Sequence, residues 1–310
     1  MKKSTIKIED LDYNIRNIKD YNIKILDITN MQKFLSFPIN DYITEETKKI
    51  NDENDNIYFY CSFFMNPYIE KILINVSFAK SYSKIIDIGG NNTYLFPLSN
   101  ALLNVNDDVL QNNIKHYNYD LDFDKFEAIE DNEFDFGFCR HTLEDIQNPQ
   151  NAFREIIRIC KSGYIETPSP IVEITKLFFK REDTSDMMFS KNKVNRGFIH
   201  HRYFVWTDIS TNTLYFLPKY PCIETMDFSN EGMIKIKKIL NDYSVYWNNY
   251  YFFTSEDENP PNIFVYRNDI NFSIQSKDDS ENEYLTLLNT AFIKSIEATN
   301  YFIEKYKVLL

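Results

Sequence analysis

Ile85-Ile86-Asp87-Ile88-Gly89-Gly90 and, further along, Phe134-Asp135-Phe136-Gly137-Phe138-Cys139-Arg140-His141-Thr142-Leu143-Glu144-Asp145 decide how this chain is read. Each opens as a short apolar run of the kind that builds a buried strand. The first ends in an acid and a glycine turn, the second in a polar loop that leads toward a helix. Two such strands laid parallel bring both carboxyl ends to one crevice, which is where open α/β sheets bind their ligands.

Outward from that pair, strands alternate with crossovers. A helix starts at Asn66-Pro67, the Asn able to cap and the Pro already set for the first helical position. Ile69, Ile72, Leu73 and Val76 give it an apolar stripe. Strands are predicted over 84–88, 101–105, 115–119, 134–139 and 164–167, with a helix over 149–161 capped by Asn148 and closed by Gly163. Strands separated by crossovers predict a parallel sheet. Beyond it come a helix over 172–180 and a β-hairpin whose arms, 200–206 and 213–217, flank 208–212. A helix over 231–240, aromatic-rich strands over 244–253 and 262–266 around Asn259-Pro260-Pro261, and a terminal helix over 283–308 complete the reading.

Composition narrows the function. The chain has 310 residues, 43% of them hydrophobic and 16% aromatic, enough for a large core. A net charge of -12 disfavours a nucleic-acid partner, because such affinity comes largely from clustered Lys and Arg. No run approaches the roughly twenty apolar residues of a membrane helix. Met1-Lys2-Lys3-Ser4-Thr5 is not followed by an apolar run, so no secretory signal is expected. Cys61, Cys139, Cys160 and Cys222 are scattered; they predict buried thiols, a reducing, cytoplasmic setting and no metal.

From Ile85 to Pro170 the chain resembles class I S-adenosylmethionine-dependent methyltransferases. The resemblance rests on 134–139, on His141-Thr142-Leu143-Glu144 and on Arg158-Ile159-Cys160-Lys161-Ser162-Gly163-Tyr164-Ile165-Glu166-Thr167-Pro168. In that family the same run is a hydrophobic strand, a His-x-Leu-Glu-His loop, a crossover helix and a basic-Gly turn into the next strand. Asp145 stands in place of the second histidine. The resemblance implies a doubly wound, mostly parallel seven-stranded sheet, with 244–253 and 262–266 as its antiparallel edge hairpin. It divides the chain into an N-terminal cap (1–65), a methyltransferase-like domain (66–270) with a substrate-side insert at about 171–222, and a C-terminal helix (271–310).

The implied cofactor is S-adenosyl-L-methionine. Asp87, Gly89 and Gly90 match the family's first motif, with Asn91 where a second glycine is usual; Asn tolerates positive φ better than most residues. The ribose acceptor falls on Asn104 by hydrophobic pattern or on Asp107 by distance. Asp120, followed by Leu121, matches the adenine position, where a carboxylate accepts from the amino group. His141 matches a histidine near cofactor and acceptor, and Glu144 is placed to orient it.

Methyl transfer is an in-line displacement at an activated carbon, so the protein mainly aligns the reactants and excludes water. A base is needed where the acceptor must lose a proton. The candidates are His201, favoured as base, His141, favoured as part of the pocket wall, and His200. Arg202 and Trp206 share a strand face and are expected to meet an anionic or sugar-like acceptor. The expected reaction is methyl transfer to a small polar acceptor such as a sugar or glycan precursor. The alternative, motivated by Asn91 and Asp145, is an inactive methyltransferase-like binding or regulatory subunit.

Overall fold

A computed structural model describes residues 67–90, 96, 98–105, 114–175, 197–198, 200–220, 223, 244–267 and 283–306. The expected cap, the helix over 231–240, Asn91, Asp107, Cys61 and Cys222 lie outside the described residues.

The central sheet is made of β1 (Ile85–Ile88), β2 (Ala101–Leu103), β3 (Lys115–Tyr117), β4 (Phe136–Arg140), β5 (Ser162–Pro168) and β8 (Asn248–Thr254), in the order β3-β2-β1-β4-β5-β8. Its first five strands run parallel, and β8 lies antiparallel on β5 with Tyr164 opposite Phe252. Every residue of β1, β4 and β5 is buried, because helices or strands cover both faces. Alternation sorts their side chains. Ile85, Phe136, Phe138 and Tyr164 point to the face covered by α1 (Pro67–Ala79), through its Ile69, Ile72, Leu73 and Val76. Ile86, Ile88, Cys139 and Ile165 point to the face covered by α2 (Pro149–Ile159), through its Ala152, Phe153, Ile156 and Ile159. Asn148 caps α2 as expected, its side chain accepting from the Asn151 amide. Cys139 and Cys160 are buried free thiols in this core.

After β5, the one-turn helix α3 (Pro170–Glu173) precedes the hairpin β6 (Tyr203–Asp208) and β7 (Thr213–Pro218), which forms where the turn residues placed it. The hairpin is not a free lid. Val205, Leu214 and Phe216 pack into the core that α2 covers, while Phe204, Trp206 and Leu217 pack against α4 (Glu283–Tyr306). Trp206 is therefore core, not acceptor surface: it is 2% exposed and stacks on Tyr215 at 5.2 Å. An indole buries more apolar area in that sandwich than an exposed strand face would allow.

The expected edge hairpin also differs. β9 (Asn262–Val265) leaves β8 and pairs parallel with β7, so among the described residues the main sheet has six strands. The cause is local. Pro260 and Pro261 cannot donate ladder bonds. Asn212, at φ 49°, then captures the following chain, its amide donating to Asn259 O and its carbonyl accepting from Asn262 N. No helix among the described residues is long and apolar enough to cross a membrane.

Candidate active site

The chain winds from β1 outward to β2 and β3, then returns to β4 on β1's other side. The switch point therefore lies between β1 and β4, the position at which open α/β sheets bind their ligands. Gly89 turns the chain out of β1 at φ 78°, its N–H donating to Leu103 O at 2.8 Å. A Cβ at Gly89 would sit 2.3 Å from Thr142 Oγ1, and one at Gly90 would sit 2.1 Å from Asp87 Oδ1, so neither position admits a side chain.

Asp87 lies beneath this turn. It is 1% exposed and accepts from Phe96 N at 2.7 Å and from the Gly90 amide. Burial pushes its carboxyl up to about 7, against the pull of those two donors. Asn104 ties the tip of β2 to the same turn: its amide donates to Gly90 O and its Oδ1 accepts from Val105 N, both at 2.7 Å. Asp120 opens a tight acidic loop, accepting from Asp122 N at 2.9 Å, with Leu121 buried beside it.

A dense polar network fills the tip of β4. Arg140 and Glu166, both nearly inaccessible, pair at 2.9 Å, and Glu166 also accepts from Asn248 Nδ2 at 2.7 Å and from the Tyr164 hydroxyl. Burial alone would raise Glu166; Arg140, His141 and the Tyr164 hydroxyl together outweigh it and hold the carboxyl at about 2. His141 follows in the left-handed region at φ 51°, pinned by its N–H to Glu166 O at 2.8 Å. Its ring lies between two acids, Nδ1 3.4 Å from Glu144 Oε1 and Nε2 3.5 Å from Glu166 Oε1. Glu144, 1% exposed, has no hydrogen-bond partner on either oxygen among the described residues.

The start of the hairpin is strapped to this loop. Arg202 N donates to Glu144 O, Arg202 Nε to Asp145 O and the Tyr203 hydroxyl to Gln147 O. His200 and His201 thereby meet Asp145, His201 Nε2 at 3.6 Å and His200 Nε2 at 3.9 Å from its Oδ1. Glu173 of α3 fixes the other nitrogen of His201, Nδ1, at 2.6 Å, and the buried Lys219 pairs with the same carboxylate at 2.9 Å. Burial would lower His201; Glu173 outweighs it and raises the imidazole. His200 is lowered to about 4 by burial and by His201, and Asp145 is raised to about 7 by burial and by Glu144.

The structure thus brings His141, His200 and His201 to one corner, beside the turn of Asp87, Gly89, Gly90 and Asn104. Arg140, Glu166, Glu173 and Lys219 were not singled out from the sequence. Their signal was present: an ionisable residue inside or bordering an apolar run is buried only with a partner.

Residues 84–165 match the family model described as "Methyltransferase domain". Solved structures similar to part of the chain include an S-adenosylmethionine-dependent methyltransferase from Mesorhizobium loti, at 15% identity and TM-score 0.26, covering 29% of this chain and 49% of that one. Another, from Thermotoga maritima, is described as a possible histamine N-methyltransferase, at 15% identity and TM-score 0.28, covering 34% of this chain and 53% of that one. The chain spans about half the length of these structures. No curated protein matches it.

The residues present fit the cofactor of this family, S-adenosylmethionine. The turn at Gly89 and Gly90 presents bare backbone, packed so closely on Thr142 and Asp87 that no side chain fits, and His141 Nε2 has no hydrogen-bond partner among the described residues. Asp120 has acceptor capacity beyond its bond to Asp122 N. Asn104 is the exception, since its amide and carbonyl are both engaged within the fold.

Proposed function

We propose, from the premise that residues 84–165 are a class I S-adenosylmethionine-dependent methyltransferase domain, that the chain methylates a hydroxyl or amine of a small polar acceptor, with a sugar or glycan precursor as the acceptor class. The observation that carries this reading is the convergence at the β1/β4 switch point of the glycine turn with a corner of three histidines and two acids, Glu144 and Asp145.

The cofactor supplies a methyl carbon already activated by its sulfonium. Gly89 and Gly90 would let backbone approach the methionine moiety, Asp120 would accept from the adenine amino group, and His141 would line the wall between cofactor and acceptor. An acceptor that must lose its proton on methylation would give it to the His200–His201 corner. His201 is prepared for that proton, because Glu173 occupies Nδ1 and leaves Nε2 as the basic end. A polyol suits this wall, where donors and acceptors alternate. A polyphosphate does not, since Glu144 and Asp145 repel it, as does the net charge of -12.

Calorimetric titration of the full chain with S-adenosylmethionine and S-adenosylhomocysteine tests the cofactor. Absence of both heat and thermal shift at millimolar ligand overturns it. Incubation with a panel of uncharged sugars and glycosides, read by mass spectrometry for a gain of one CH₂, tests the acceptor class.

A further inference from the structure

We propose that Asp145, His200 and His201 form a binding site for one divalent transition-metal ion. One ligand atom from each of the three residues lies within 4.8 Å of the others. An ion about 2.1 Å from each ligand would space them by about 3.4 Å in tetrahedral geometry. Asp145 Oδ1 is already 3.6 Å from His201 Nε2 and 3.9 Å from His200 Nε2. A closure of a few tenths of an ångström suffices there, and His200, with its side chain 46% exposed, is free to turn inward.

Three further observations point to a cation. The first is orientation: a metal-binding histidine commonly gives its other nitrogen to a carboxylate, which fixes the ring and raises its basicity. Glu173 does this for His201 at 2.6 Å, and Lys219 holds Glu173 in turn. Phe198 packs against the His201 ring at 4.6 Å, closing the site's apolar side.

The second is an orphaned acceptor. Asp145 Oδ1 is buried without a hydrogen-bond partner among the described residues. Buried carboxylate oxygens are rarely left so, and an ion is one of the few ways to satisfy them.

The third is charge. Arg140 answers Glu166 and Lys219 answers Glu173, each at 2.9 Å. Glu144 and Asp145 remain without a fixed cation on either carboxylate, Arg202 reaching only the Asp145 main-chain oxygen. Only imidazoles face these two acids, and a metal ion held by neutral histidines would bring to the corner the cation that no Lys or Arg provides. The donor set selects the metal: two imidazoles and one carboxylate favour Mn²⁺, Fe²⁺, Co²⁺ or Zn²⁺ over the all-oxygen preference of Ca²⁺ and Mg²⁺. Three protein ligands also leave coordination positions open for an exogenous oxygen. Only this last consequence rests on the methyl-transfer reading: an acceptor hydroxyl on the ion would lose its proton more readily, and His201 would then act as ligand instead of base.

The test uses the full chain freed of metal by a chelator and titrated with MnCl₂, free Mn²⁺ being read by its paramagnetic resonance, with ZnCl₂ as competitor. The expected result is one ion per chain, displaced by zinc. Asp145→Asn and His200→Ala should each weaken binding tenfold or more, and Glu173→Gln should weaken it by about tenfold or more through loss of ring orientation. His200 is exposed enough for its variant to keep the wild-type melting temperature, so lost binding there is not lost folding. Absence of stoichiometric binding at millimolar Mn²⁺ overturns the proposal. So does binding undiminished in both Asp145→Asn and His200→Ala, which would place the ion on the acidic surface. Neither result depends on S-adenosylmethionine, so failure of the cofactor titration leaves this outcome readable.

Discussion

Replacing Arg140 by Met should destabilise the protein by about 3 kcal/mol at neutral pH, through the carboxylate it leaves behind. Arg140 is 4% and Glu166 0% exposed in their side chains, so solvent cannot take over the lost partner. A carboxyl held at about 2 instead of 4.5 contributes about 3.4 kcal/mol of stability at pH 7. Removing one member of a buried pair typically costs about 3–5 kcal/mol, in the same range. Asn248 and Tyr164 still donate to Glu166 in the variant, which keeps the expectation near the lower end. The folded-state pKa is depressed, so the contribution is complete above about 4.5 and is lost as pH falls toward 2. At pH 3 it shrinks to about 1.4 kcal/mol. Urea denaturation of wild type, Arg140→Met, Glu166→Gln and the double variant, at pH 7 and pH 3, reads both quantities. The double variant should cost less than the two single changes added together by at least about 1.5 kcal/mol. Additive costs, or a wild-type advantage over Arg140→Met that is as large at pH 3 as at pH 7, would refute the pairing as the source of stability.

Asp120→Ala should weaken S-adenosylmethionine binding about tenfold, the worth of one charged hydrogen bond, with little change in melting temperature; unchanged calorimetric affinity removes it from the adenine site. Gly90→Ala should both destabilise the fold and weaken cofactor binding, because its Cβ meets Asp87 Oδ1 at 2.1 Å; a variant as stable as wild type by thermal melting would show that the turn can move. His201→Ala should lower turnover by about 10²–10⁴ with cofactor affinity nearly kept, whereas His141→Ala should lower both. Full turnover in His201→Ala would take that histidine out of the chemistry.

The parts of the fold legible in the sequence were those written in local pattern. The strand runs of β1 and β4, the Asn148 cap with Pro149, and the hairpin flanking 208–212 each follow from spacing and turn chemistry within a few residues. What was not legible depended on distant partners. Period alone cannot tell a solvent-facing Trp206 from one sandwiched against α4, and although Pro260 and Pro261 mark a break before 262–266, the capture of that strand beside β7 depends on Asn212, far back in the chain. The site divides in the same way. His141 and the glycines sit in contiguous motifs, whereas the corner that Asp145, His200 and His201 form depends on segments distant in the chain. Asp145 and His201 lie on different elements, and Glu173 reaches His201 from a third.

The two buried ion pairs explain why that corner is so firmly built. Apolar residues of similar volume are often as stabilising as a buried pair, or more so, so Arg140–Glu166 and Lys219–Glu173 are costly ways to fill space. What an apolar core lacks is direction. Glu166 joins β5 to Arg140 of β4 and Asn248 of β8 through its side chain, and its carbonyl receives the His141 N–H. Glu173 joins α3 to His201, Lys219 and the Phe198 amide. Between these two anchors runs the loop from His141 to Asp145, which starts in a left-handed conformation costing about 1 kcal/mol or more for a residue with a side chain. A backbone held against its own preference is stable only where its surroundings over-determine it. The pairs supply that constraint, and they hold the imidazoles of His141 and His201 in fixed orientation beside the β1/β4 switch point.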